Sequence, residues 1–200
     1  MTRIIGIVSG KGGVGKTTLA LNMAAAIAKH YNKRTTVIDC NLTTPHIGLY
    51  LGLYQHPVTF NNVLRGERSV EEAMQMHESG MKIIPASLAL NDLDGIDILH
   101  IRDRIKSLMD KEDIIILDSA PGLGREALGT LKASDEVIFV ANPNILSLTD
   151  AIRCNEVCQE LGIKNLGIIL NMVNRDKYDL NAKDVERVAG IPVIGVIPYH

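Results

Sequence analysis

The sequence predicts an α/β domain in which a mainly parallel, twisted sheet is covered by helices on both faces. Two observations carry this. Short runs of Ile, Val and Leu alternate along the chain with segments of helical periodicity. Those runs are apolar throughout rather than alternating, the pattern of strands buried on both sides and joined by crossover helices. Composition agrees: 46% of the residues are apolar, yet there are only two Phe, five Tyr and no Trp, so the core must be built from Ile, Val, Leu, Ala and Met. A chain of 200 residues is enough for one well-buried domain, and residues 1–200 read as a single unit.

The first strand is Ile4 to Val8, a β-branched apolar run. Thr17 to His30 follows with helical spacing, Leu19, Met23 and Ile27 on one side and Ala20, Ala24 and Ala28 beside them. Thr35 to Ile38 is a second strand ending at Asp39. Between Pro45 and Gly80 the pattern is less regular, but Ser69 and Glu72 have capping-box spacing and predict a short helix there. Met81 to Ile84 reads as a strand, and Ile98, Ile101, Ile105 and Leu108 as one face of a helix. Asp113 to Leu117 is a strand ending at Asp118, Gly124 to Ala133 a helix, and Glu136 to Val140 a strand. Ser147 and Asp150 are placed to cap a helix running to about Leu161. Leu166 to Leu170 is a strand, Leu180 to Ala189 a helix closed by Gly190 and Pro192, and Val193 to Ile197 the last strand.

Several function classes are disfavoured. The formal charge is −2 with no block of like charges, which argues against general nucleic-acid binding. Three Cys without regular spacing make no disulfide framework and suit a reducing cytoplasm. Cys154 and Cys158 share a helical stripe with Ala151 and Leu161 and read as core residues rather than metal ligands; Met74 and Met76 read as core cover. The six His are scattered without ligand spacing to Cys. No apolar run approaches the ~20 residues of a membrane span.

The informative segment is Gly10-Lys11-Gly12-Gly13-Val14-Gly15-Lys16-Thr17, which matches G-x-x-x-x-G-K-[ST] between a predicted strand and a predicted helix. Glycines let backbone N–H groups turn inward around phosphate oxygens, and the helix N-terminus adds a positive dipole end. Lys16 can then reach the β- and γ-phosphates and the Thr17 hydroxyl can bind Mg²⁺. Asp118, after Ile114-Ile115-Ile116-Leu117, has the form of a Walker B aspartate, and Asp39 ends its strand in the same way. Because Mg²⁺ keeps several waters, these carboxylates are expected to act through water. The fold class sharpens to a three-layer P-loop NTPase.

An ordinary P-loop needs no lysine at position 11. The string Lys11 to Thr18 resembles the deviant Walker A motif of the MinD/ParA group. Val37-Ile38-Asp39, Leu51-Gly52-Leu53, Asn62-Val63-Leu64-Arg65-Gly66, Ile84-Pro85-Ala86, Asp118-Ser119-Ala120-Pro121-Gly122, Asn142-Pro143 and Gly195-Val196-Ile197-Pro198 resemble later segments of that group in order. The resemblance spans essentially the whole chain and leans toward archaeal MinD-like proteins. It implies an ATPase that dimerises across two ATP molecules, with Gly10 to Thr18 around the phosphates and Lys11 reaching the γ-phosphate of the opposite subunit. It implies that Asn171 contacts the adenine and that backbone near Pro198 lines the base site. It also implies a protein partner that uses or stimulates the ATPase, and a role in spatial positioning such as division-site placement. No N-K-x-D guanine signature is present, so ATP is favoured over GTP.

The sequence departs from the group at Asp39-Cys40-Asn41, where Asp-x-Asp is usual. Asn41 can hydrogen-bond an attacking water but cannot take its proton, so slow hydrolysis with intact ATP binding is expected. His46 stands where MinD relatives tend to have Asn, and no chemistry is assigned to it. The group continues past its Gly-Val-Ile-Pro segment with more helix, often ending in an amphipathic membrane-binding one. No such segment is in these 200 residues, so membrane contact is expected not to be encoded in them; the protein is expected to be cytoplasmic, peripheral at the membrane only if such a helix follows. The alternatives are an ATP-loaded adaptor with little turnover, and a metal or iron–sulfur maturation ATPase of the same superfamily, disfavoured because no C-x-x-C is present. Related amidases and small kinases need a substrate pocket or second domain for which the chain has no spare length.

Overall fold

The computed structural model describes residues 1–53, 56–174 and 179–199. In chain order the elements are β1 (Arg3–Val8), α1 (Lys16–Tyr31), β2 (Thr35–Cys40), α2 (Ile47–Tyr50), α3 (Phe60–Arg65), β3 (Gln75–Met76), β4 (Lys82–Ile84), α4 (Ile101–Arg104), β5 (Ile114–Ser119), α5 (Arg125–Ala133), β6 (Glu136–Ala141), α6 (Ile145–Glu160), β7 (Lys164–Val173), α7 (Ala182–Ala189) and β8 (Val193–Pro198). They form one sheet in the order β3-β4-β2-β5-β1-β6-β7-β8. Every neighbouring pair is parallel except β3–β4. Alternate side chains of each central strand enter different cores, which is why these strands are apolar on both sides. Ile5, Ile7, Val37 and Ile116 pack under Ala20, Leu21 and Ala24 of α1. On the opposite face Ile4, Ile38, Ile115 and Leu117 pack against Phe60, Val63 and Leu64 of α3, while Val8, Val137 and Phe139 pack against Leu131 of α5 and Leu148 and Cys158 of α6.

The expected capping box at Ser69 does form: the Ser69 N–H donates to the Glu72 carboxylate at 2.8 Å and the Glu72 N–H to Ser69 Oγ at 3.3 Å. It closes a single turn rather than a helix, because β3 begins at Gln75 and pulls the chain into the sheet edge. A helix does form nearby, α3, started by Thr59 with Asn62 in the place of the usual Glu or Gln. The expected helix through Ile98 and Leu108 is instead two 3₁₀ turns, Ile98–His100 and Lys106–Leu108, flanking α4. All four stripe residues are nevertheless buried. The break has a packing cause: the Ile98 backbone lies so close to α5 that a Cβ on Gly129 would stand 2.5 Å from the Ile98 carbonyl oxygen.

At α6 the cap is Asn144, whose side chain accepts from the Ser147 N–H at 2.9 Å; Ser147 and Asp150 lie inside the helix. Ser147 Oγ instead accepts from the Asn142 N–H at 3.0 Å and ties the end of β6 to the helix. Cys154 and Cys158 are core residues, and burial pushes their thiols up to about 11 and about 12. Met74 packs on the core, whereas Met76 is exposed. No helix among the described residues is long and apolar enough to cross a membrane.

Candidate functional site

The carboxyl ends of β1, β2 and β5 lie side by side, with Asp39 opposite Asp118 and Ile7 opposite Asp118 in register. Parallel sheets place ligands at this edge. The loop after β1 turns into α1 through Gly13 at φ 75° and Gly15 at φ 98°, conformations that suit glycine and strain other residues. Gly10 is needed for a different reason: a Cβ there would lie 2.1 Å from Asp150 Cβ, because α6 packs against this loop. Gly15 caps α1 without a side-chain bond, and no acidic residue occupies the first turn. Among the described residues the N–H groups at that end thus have no side-chain acceptor, and a loop of amides with a helix dipole behind it is a site for an anion.

Gly12, Gly13, Gly15, Lys16, Thr17 and Thr18 form one wall of a cavity of about 360 Å³; Asn41, Thr44, His46, Tyr50, Ser119, Pro121 and Met172 form the rest. The Lys16 side chain folds back into the loop, donating to Ser9 Oγ at 2.8 Å and to the Lys11 carbonyl at 3.4 Å. Burial lowers its pKa, and the Asp118 charge partly offsets this. Thr17 Oγ1 donates to Asp118 Oδ2 at 2.6 Å, while Asp118 Oδ1 is buried with no hydrogen-bond partner among the described residues. Asp39 accepts from the N–H groups of Asn41, His46 and Ile47 at 3.1, 3.0 and 3.0 Å. Even so, burial first and the Asp118 charge second push Asp39 up to about 8. Burial pushes Asp118 up to about 6 against the Thr17 hydroxyl and Lys16.

These donors fit a magnesium ion. A hydroxyl and carboxylates are the hard oxygen ligands it prefers, and the orphaned Asp118 Oδ1 is a buried acceptor without a donor. Among the described residues no group of three or more His, Cys, Asp or Glu is arranged to cage a metal.

Asn171, on β7, donates from Nδ2 to the Val14 carbonyl at 2.8 Å. It lines a second cavity of about 210 Å³ with Gly15, Thr18, Leu19, Asn22 and Ile197. Pro198 is not in that lining; it lies opposite Val173 in the β7–β8 register, beside Ile197. Lys11 is not in the lining of the first cavity; its Nζ lies 3.9 Å from Asp150 Oδ2. Asn41 lines the cavity, but its carboxamide is engaged within its own loop: Nδ2 donates to the Thr44 carbonyl at 2.6 Å and Oδ1 accepts from Thr44 Oγ1 at 3.1 Å.

Sequence reasoning missed Ser9, Thr44, Tyr50 and Met172, and gave His46 no role. Ser9, a polar residue ending an apolar strand beside the motif, was findable. Met172 was not: it faces the cavity because β7 has φ 60° there and a register irregularity against β8 between Leu170 and Val173.

The profile of the CobQ/CobB/MinD/ParA nucleotide binding domain matches residues 5–200. The chain belongs to this family. An uncharacterized ATP-binding protein of Methanocaldococcus jannaschii is 35% identical over 198 residues, covering 99% of this chain and 75% of that protein. Among solved structures, the cell division ATPase MinD of Pyrococcus furiosus superposes with a TM-score of 0.95 at 34% identity, covering 100% of this chain and 84% of its own. The septum site-determining protein MinD of Pyrococcus horikoshii, complexed with Mg-ADP, gives a TM-score of 0.94 at 34% identity, covering 100% of this chain and 82% of its own. The eight-stranded, mostly parallel sheet with flanking helices is the MinD form of the P-loop NTPase fold.

Proposed function

We propose that this MinD/ParA-family protein is an Mg-ATP-dependent dimerisation switch that hydrolyses ATP slowly. The observation that carries the reading is the uncapped, glycine-built N-terminus of α1 facing the Thr17–Asp118 pair with its orphaned oxygen. Backbone N–H groups of Gly10, Gly12, Gly13, Val14 and Gly15 would hold the phosphates and Thr18 would flank them. Lys16 would stabilise phosphate charge, Thr17 would ligate Mg²⁺, and Asp39 and Asp118 would hold its waters. The ion, when bound, neutralises charge on the phosphate oxygens.

The base side supports adenine. The Val14 carbonyl can only accept, so Asn171 turns Nδ2 toward it and Oδ1 takes no part in that bond, and Asn171 lines the second cavity. An Asn171 Oδ1 presented to that cavity would pair with an exocyclic amine and oppose a carbonyl, the preference expected for ATP over GTP. Backbone at Ile197 and Pro198 would border the base.

Lys11 would act across the dimer. Its contact with Asp150 is between partly exposed groups, worth at most about 1 kcal/mol, so it can be exchanged for a partner's phosphate. Light scattering on the purified chain should show a monomer without nucleotide and a dimer in saturating Mg-ATP, with the shift lost in Lys11→Ala while ATP binding remains. A wild-type monomer in saturating Mg-ATP would remove the switch from consideration.

Asn41 sets the turnover in this reading, orienting a water without taking its proton. Asn41→Asp should raise kcat several-fold and lower the melting temperature, because a carboxylate loses the Nδ2 bond to the Thr44 carbonyl. Unchanged turnover would remove Asn41 as the cause of slow hydrolysis, whereas tight ATP binding with no phosphate release would favour the adaptor reading. Division-site placement and a stimulating protein partner belong to this proposal through the MinD relatives.

A further inference from the structure

β2 and β5 leave the sheet together: Asp39 and Cys40 lie opposite Asp118 and Ser119, and beyond them the two chains part. The segment 41–46 carries Asn41 to the phosphate cavity, and the segment after β5 carries Pro121 to it before entering α5. On its inner side the first loop is held by Asp39 and by the Asn41–Thr44 pair. Its outer side is held from a different element. The Thr43 N–H donates to Glu126 Oε1 at 3.2 Å, and the Thr43 hydroxyl donates to the same oxygen. Glu126 stands in the first turn of α5, and its backbone carbonyl accepts from Thr130 Oγ1 at 3.0 Å.

Neighbouring residues are thus drawn in opposite directions, Thr43 outward to Glu126 and Thr44 inward to Asn41. We infer that Glu126 is a positioning residue, tying the loop that carries Asn41 to the helix that follows Asp118, so that the two walls of the phosphate cavity keep one spacing. The inference rests on the ATPase reading above. Glu126 does not line the phosphate cavity, only a separate one of about 180 Å³ that it shares with Thr43; it acts through Thr43 and Thr44. The bond is made by one carboxylate oxygen, so a glutamine side chain can replace it and an alanine cannot. Removing it leaves the phosphate loop and Lys16 intact, and the loss falls on turnover rather than on nucleotide affinity.

Three measurements on wild type, Glu126→Ala and Glu126→Gln test this. Steady-state ATP hydrolysis should show kcat lowered about 10-fold or more in Glu126→Ala with KM little changed, and kcat restored in Glu126→Gln. Hydrogen exchange of the nucleotide-free protein should show the Thr43 amide about fivefold faster or more in Glu126→Ala and near wild type in Glu126→Gln. The melting temperatures report whether each variant folds. Wild-type turnover in Glu126→Ala, an unchanged Thr43 amide, or a glutamine variant as impaired as the alanine one would each overturn the inference. A wild type that releases no phosphate would count against the ATPase reading, and the exchange measurement would still decide whether Glu126 holds the loop.

Discussion

Lys16→Ala is expected to weaken Mg-ATP binding and turnover together by about 100-fold or more. The side chain is 7% exposed, and its ammonium is held beneath the glycine loop by Ser9 Oγ and the Lys11 carbonyl. A charge kept in a poorly solvated place interacts with phosphate more strongly than the same charge in water. Alanine removes this cation, and it also takes away the positive neighbour that holds Asp118 toward its charged form. Lys16→Arg should rescue little, because a planar guanidinium does not fit a hydrogen-bonding site shaped for a compact ammonium. Isothermal titration calorimetry with ATP, in the presence of magnesium, measures the effect. An alanine variant binding within about threefold of wild type would mean that the phosphates lie elsewhere.

The second large effect concerns the metal- and nucleotide-free protein. Asp39 at about 8 and Asp118 at about 6 both lie above the ordinary unfolded value of about 4. Folding therefore favours their protonated forms. The stability they contribute is fully present below pH about 4 and is lost as pH rises through about 6 and then about 8. Wild type in EDTA should melt progressively lower from pH 5 to pH 8.5, by up to about 1.4 kcal/mol per pH unit for each group between its two values. Asp118→Asn should flatten this profile and melt higher than wild type at pH 8 by about 3 °C or more. It cannot ionise, it keeps an oxygen for the Thr17 hydroxyl, and it relieves the charge that raises Asp39. The same variant should lose the stabilisation that Mg-ATP gives wild type. An Asp118→Asn protein that melts below wild type at pH 8, or that is stabilised equally by Mg-ATP, would contradict this account.

Buried carboxylates that weaken the empty protein and become useful when a cation arrives are a common trade at functional sites. The arrangement also explains the three backbone N–H donors on Asp39: they limit the cost of placing a carboxylate at 0% exposure while shaping the loop that leaves it.

The conformation of the loop between β1 and α1 was legible because its residues are consecutive, and because what sets it is local. Glycine at positions 13 and 15 permits positive φ wherever the chain goes next, and a strand followed by a helix can join through such a turn in few ways. The strands were legible for a related reason: a segment apolar on both sides is buried on both sides. What periodicity misjudged was continuity. Ile98 to Leu108 has helical spacing and buries the expected side, but the approach of its backbone to Gly129 breaks it into short turns.

The sequence alone determined the parallel α/β class, the glycine-built turn between β1 and α1, and the placing of Asp39 and Asp118 at strand ends. These follow from backbone preferences and from the burial of whole segments, both of which are written residue by residue. The far wall of the cavity at His46, Tyr50 and Met172, the turning of the Asn171 carboxamide by Val14, and the hold of Glu126 on Thr43 were decided by the tertiary structure. Each depends on which strands became neighbours and where a register slipped, and those outcomes come from packing between residues distant along the chain.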